Sequence, residues 1–226
     1  MKQLNTLVIL IVIGIALWVS YSAFTVVVKT LPDALETRVE YKRATTTVFW
    51  VGEEATSEND FISNTASYWD STWTEHFGGI DDPDCRNGYA PCEFLPLENP
   101  FYAALPYGEF ENGSLKASSS AVPPSGIDNS LLKNRWIEIQ FGTTTCYAQW
   151  EDVGPNNEND FEYVFGNATE PQNEFGEKAG LDISPAVRDC LGMSGSDVTY
   201  WRLIPASQVP EGPWTNIITT RDISWQ

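Results

Sequence analysis

The sequence predicts a mainly β domain with short helices and long loops, carried behind a membrane-spanning helix. Three observations predict it: an uncharged apolar run from Leu7 to Val28, period-two alternation of apolar and polar residues in several later segments, and Gly or Pro where those segments end. The run Leu7 to Val28 is 22 residues long, and a helix needs ~20 residues to cross a bilayer. A secretory apolar core is shorter, ~7 to 15 residues. Ser20-Tyr21-Ser22 would serve as a cleavage site after such a core, so a signal anchor is expected first and a cleaved signal with secretion second. Lys2 and the amino terminus favour a cytoplasmic start, which puts the rest of the chain outside.

Residues 1–28 are thus read as anchor, 29–45 as a charged stalk containing Pro32, and 46–226 as one domain. Thr45 to Val51 is rich in β-branched and aromatic residues and reads as a strand that Gly52 ends. Between Asn64 and Gly79, the spacing of Tyr68, Trp69, Trp73 and Phe77 predicts a short amphipathic helix with Asp70 and Glu75 on its exposed flanks. Residues 111–134, with Gly113, Ser118 to Ser120 and Pro123-Pro124, read as a long surface insertion, disordered or lid-like. Arg135 to Phe141 and Thr143 to Trp150 alternate on either side of Gly142 and predict an antiparallel hairpin. Val198 to Ile204 is a further strand, followed by a Pro-rich tail.

The charge balance removes several function classes. With 13 Lys and Arg against 31 Asp and Glu, for a net charge of −18, the chain lacks the basic face that nucleic acid requires, whereas a neutral glycan meets no repulsion. The single histidine, His76, disfavours Ser-His-Asp and Cys-His catalysis, and no Gly-rich phosphate loop precedes a helix. No cofactor or metal is expected. The acidic runs at 81–84 and 157–162 lack the order of a calcium loop and read as solvated. Four cysteines in an exported domain suggest disulfides, with three pairings open. Cys85 with Cys92, around the Asn87-Gly88 turn, and Cys146 with Cys190 are favoured.

What remains is carboxylate chemistry. The hairpin's second strand delivers Asp152 into a Gly154-Pro155 turn, where Pro has no donor to continue a ladder. Asp182 precedes Ser184, an N-cap residue with Pro185 at the first helical position, and the short helix stops at Gly192. The Asp152-Val153-Gly154-Pro155 turn, the Asp182-Ile183-Ser184 segment and the Leu191-Gly192 ending resemble the double-psi β-barrel families, in particular the rare lipoprotein A-like proteins, expansins and family 45 endoglucanases. Thr47 to Gly52 resembles the opening aromatic strand of that barrel, and Phe101 to Gly108 its Ala-x-Pro segment.

The resemblance implies a six-stranded double-psi β-barrel outside the cytoplasm, engaging peptidoglycan or another neutral glycan. It implies Asp152 as a general acid supported by Asp182, in a lytic transglycosylase-like or glycosidase-like reaction. Trp150, Tyr147 and Trp69 are candidate sugar-stacking residues. The chain departs from the rare lipoprotein A-like pattern at Val153, where an Arg is common, and no first-strand acid is matched. A non-catalytic expansin-like glycan-binding module, or an envelope scaffold that binds a protein partner, are the rival readings.

Overall fold

A computed structural model describes residues 40–57, 59, 61–122, 129–175 and 178–225. The expected anchor and most of the stalk lie outside them. No helix among the described residues is long and apolar enough to cross a membrane.

Six strands close into a barrel: β1 (Lys42–Val48), β4 (Tyr102–Leu105), β7 (Trp136–Phe141), β8 (Thr144–Val153), β9 (Ala179–Ile183) and β10 (Asp197–Ile204). Around the barrel their order is β1, β10, β7, β8, β4, β9. Among the six barrel strands, β7 and β8 are joined as a tight hairpin, with Gly142 at φ 58° in the turn. The pairs β1/β9 and β4/β8 are parallel, so the chain must cross over the barrel to form them. Two small ribbons lie outside the barrel, β2 (Arg86–Asn87) with β3 (Ala90–Pro91) and β5 (Phe110–Glu111) with β6 (Ser114–Leu115).

Alternation along the strands fills the interior. Ile137, Ile139, Cys146, Ala148, Trp150, Leu181, Ile183, Trp201 and Leu203 all belong to the buried barrel core. A smaller aromatic cluster sits apart from it, where helix α1 (Trp73–Phe77) packs Trp73 and Phe77 against Phe49, Val51, Tyr102 and Ala104. The rings of Phe49, Trp73 and Phe77 meet Tyr102 at 5.3, 5.2 and 5.8 Å between centroids, the edge-on geometry that the ring quadrupole favours.

Several expectations are corrected. β1 begins at Lys42, inside the stretch read as stalk, because Arg43 to Thr46 find ladder partners on β10. Residues 49–52 leave the sheet instead of extending it. α1 is shorter than the aromatic spacing predicts, and Asp70 is buried at 1% exposure, where its carboxylate receives Thr72 N at 3.0 Å and lies 2.6 Å from His76 Nδ1. The 111–134 stretch is tied down in part: Asn112 and Gly113, both at positive φ, turn the β5/β6 hairpin, and Ser119, Leu132 and Lys133 are buried. The acidic runs are not simply solvated, since Asp81 is held by Arg86 and the Tyr102 hydroxyl, and Asp160 caps helix α2 (Phe161–Val164).

Both favoured disulfides are present, Cys85 with Cys92 and Cys146 with Cys190. The second ties β8 to helix α3 (Pro185–Leu191), whose start is as the sequence predicts: Ser184 Oγ accepts from Val187 N, Pro185 follows, and Gly192 closes the helix at φ 73°.

Candidate functional site

One row of residues across four strands builds the site. Thr47 on β1 stands opposite Asp182 on β9, Asp182 opposite Ala104 on β4, and Ala104 opposite Asp152 on β8. Strands in a sheet lie ~4.8 Å apart, so the two aspartates flank Ala104 with their backbones about 10 Å apart. Residues directly opposite one another share a sheet face, and a methyl between two acids leaves the space over it open.

A register shift aims Asp152. On β4, Ala103 pairs with Trp150 and the next residue, Ala104, pairs with Asp152, so Glu151 is an extra residue in β8. In an unbroken strand Asp152 would share the face of Trp150, which is fully buried in the barrel core. The bulge moves it to the face of Ala104. Just beyond, Gly154 turns the chain over the row. A Cβ at that position would stand 3.6 Å from Asp182 Oδ2 and 4.0 Å from the Ala104 methyl, so glycine keeps the approach to Asp182 clear.

The row opens into a cleft of about 560 Å³ lined by Thr47, Trp50, Glu53, Ala104, Asp152 and Asp182, among others. Asp152 Oδ1 accepts from Tyr68 N at 2.7 Å and from Val153 N at 2.8 Å. Burial nevertheless pushes its pKa up to about 7, opposed by those two donors and reinforced by the charge of Asp182. Asp182 is also raised to about 7, by burial first, against the hydroxyl of Thr47 that donates to its Oδ1 and with the charge of Glu53 adding to the rise. Both therefore carry a proton to near neutrality, as a general acid needs.

Compared with models of known protein families and with characterised proteins, the chain matches none.

The three residues proposed to stack on sugar do not line this cleft. Trp69 and Trp150 are fully buried, their indole N–H groups donating to Glu109 Oε2 at 3.1 Å and to the Asp152 carbonyl at 2.8 Å. Tyr147 packs against Trp214, 4.9 Å between ring centroids. The indole that does border the cleft is Trp50, part-buried just past the end of β1.

Sequence reasoning also missed Glu53. It is 8% exposed and held by Asn59 Nδ2 at 3.0 Å and Asn64 Nδ2 at 2.7 Å, so a carboxylate from the segment after β1 joins the two aspartates. Its position just past Gly52, which turns the chain at φ 82°, is the only sequence signal for it; the asparagines that orient it belong to no motif. The described cleft lining contains Glu53, Glu54, Asp152 and Asp182 and neither Lys nor Arg.

Proposed function

We propose that this is a membrane-anchored, extracytoplasmic protein with a barrel of the double-psi type, which binds envelope glycan in the cleft and cleaves it with Asp152 as general acid. The observation that carries the reading is the placement of Asp152 and Asp182 on either side of Ala104 in one cleft, both with pKa values raised to about 7. The closed barrel with two parallel strand pairs supports the fold, and two disulfides fit an oxidising compartment. A lining with four acids and no base disfavours anionic ligands and suits a neutral glycan such as peptidoglycan stripped of charged additions.

In the chemistry proposed, the glycosidic oxygen takes the proton of Asp152 as its bond to the anomeric carbon breaks. Asp182, on the other side of Ala104, acts in its ionised form, which a pKa of about 7 leaves populated near neutrality: it stabilises the positive charge that develops on the sugar ring and takes the proton of the ring hydroxyl or water that completes the reaction. Trp50 offers a ring face to the sugar. The pair of backbone N–H groups on Asp152 Oδ1 holds the carboxyl in place without supplying a proton acceptor, since both partners are donors.

The test is release of soluble sugar fragments from purified peptidoglycan by the full chain, with anhydro ends marking transglycosylation and reducing ends marking hydrolysis. Asp152→Asn keeps the acceptor for Tyr68 N and Val153 N but carries no transferable proton, so release should fall by ~10² or more while glycan co-sedimentation persists. Co-sedimentation without release by the wild-type protein would sink the catalytic reading and leave a binding module. Neither binding nor release would remove the glycan altogether.

A further inference from the structure

A second hollow, which the proposed chemistry does not use, shares a residue contact with the cleft. It holds about 470 Å³ and is lined by Tyr68, Phe110, Glu111, Asn112, Glu158 and Trp225, among others. The tail of the chain fixes its indole. Ser224 N donates to the Trp69 carbonyl at 2.8 Å and the Ser224 carbonyl accepts from Ser71 N at 3.0 Å, so the backbone before Trp225 is held on both sides. Trp225 Nε1 donates to the Tyr68 carbonyl at 3.0 Å, and its ring meets Phe110 edge-on at 5.0 Å between centroids. With its one donor satisfied and 49% of the residue exposed, the indole offers an apolar face to solvent. Tyr68 connects the hollow to the cleft. Its backbone N–H donates to Asp152 Oδ1 at 2.7 Å, while its hydroxyl accepts from Phe110 N at 2.8 Å and donates to the Phe110 carbonyl at 2.7 Å. Its ring lies so close over Gly108 that a Cβ there would stand 2.4 Å from Tyr68 Cζ, so glycine is what admits it. The rim runs on as well, since Asn156 lines the cleft and Glu158, on the same loop, lines the hollow.

We infer that the hollow is an outer subsite of the cleft, which takes a further pyranose ring of the same neutral glycan against the face of Trp225. The inference rests on the glycan reading above and adds where the chain runs beyond the reacting bond. A pyranose has an apolar C–H face that stacks on an aromatic ring and an edge of hydroxyl groups that needs polar partners. The hollow supplies both: Trp225 gives the ring face, and Glu111, Asn112 and Glu158 are exposed on the rim, where no hydrogen bond among the described residues occupies their side chains. No Lys or Arg belongs to the described lining, and Lys116 is engaged by the Glu158 carbonyl at 2.7 Å, so the hollow, like the cleft, disfavours an anionic ligand. Because Tyr68 both lines the hollow and bonds the Asp152 carboxyl, a ring held there keeps the chain in register on the acid. Binding of a remote ring then serves the bond being broken. Short oligomers fill the cleft alone, and longer ones fill both.

Neutral β-1,4-linked N-acetylglucosamine oligomers of increasing length, from the dimer upwards, are titrated into the full chain by calorimetry. Affinity should rise with length until cleft and hollow are both filled. Trp225→Ala should weaken the long oligomers by ~10-fold, as expected for the loss of one stacking contact, and leave the shortest oligomer that binds unchanged. Trp225→Phe keeps a ring face and should restore most of that loss, with the melting transition of each variant measured alongside. Wild-type affinity that does not grow beyond the shortest binding oligomer overturns the subsite, whatever the variants do. A Trp225→Ala loss that is equal at every length also overturns it, because the indole would then act only by bracing Tyr68 beside Asp152. In both cases the glycan reading survives, since the cleft still binds sugar. Failure of every oligomer to bind overturns the subsite too, and co-sedimentation with peptidoglycan then decides separately whether the glycan reading falls with it.

Discussion

Asp152 makes the protein pay for its candidate site in a way that stability measurements can read. A carboxyl whose native pKa lies above its unfolded value binds more protons folded than unfolded across the interval between them. Stability from that group is fully present below the unfolded value of 3.8 and is lost as pH rises towards about 7. The difference of about three pKa units corresponds to about 4 kcal/mol at 1.36 kcal/mol per unit, and the side chain is only 8% exposed, so little of this is screened. Asp152→Asn has no proton to lose and still offers an oxygen to Tyr68 N and Val153 N. Its stability relative to the wild type should therefore improve by about 4 kcal/mol between about pH 4 and about pH 8. Urea unfolding followed by tryptophan fluorescence at a series of pH values, with disulfides intact, gives the comparison. A stability difference that stays constant over that range would refute the burial argument. So would a wild type that gains relative stability towards alkaline pH, because Asp152 would then be a braced carboxylate with an ordinary or lowered pKa.

Two other outcomes follow from the surroundings of Asp182. Ser184→Ala should cost about 2 kcal/mol, because the fully buried hydroxyl accepts from Val187 N at 3.2 Å and donates to the Pro100 carbonyl at 2.6 Å, so its loss orphans buried groups; chemical denaturation checks it. Glu53→Gln keeps an acceptor for Asn59 or Asn64 but removes a negative charge near Asp182, so the Asp182 pKa should fall from about 7 towards the ordinary carboxylate value, which a carboxyl-carbon NMR titration reads directly.

What the sequence disclosed here was whatever is set by short-range chemistry. The Ser184, Pro185 and Gly192 signals define α3 because capping, fixed φ and the left-handed stop each act within a turn of their own residue. The β7/β8 hairpin was legible through its period-two pattern around Gly142, and Asp152 and Asp182 through the turns that follow them. Long-range placement was not legible. Exposure of Trp150 depends on which strand face it occupies, and alternation alone leaves that choice open until the ladder partners are known, while Trp69 is buried from the irregular segment before α1 by contacts distant in sequence. Asp152 shows this most clearly. Two residues after the core-facing Trp150, simple alternation points it inward, and only the extra residue Glu151, visible as the step from Ala103/Trp150 to Ala104/Asp152, brings it to the cleft. The same extra residue directs Glu151 towards Lys133. A single extra residue thus presents one carboxyl to the cleft and buries its neighbour, and deleting Glu151 would set Asp152 directly after Trp150, still opposite Ala104 by regular alternation, while taking away the partner of Lys133.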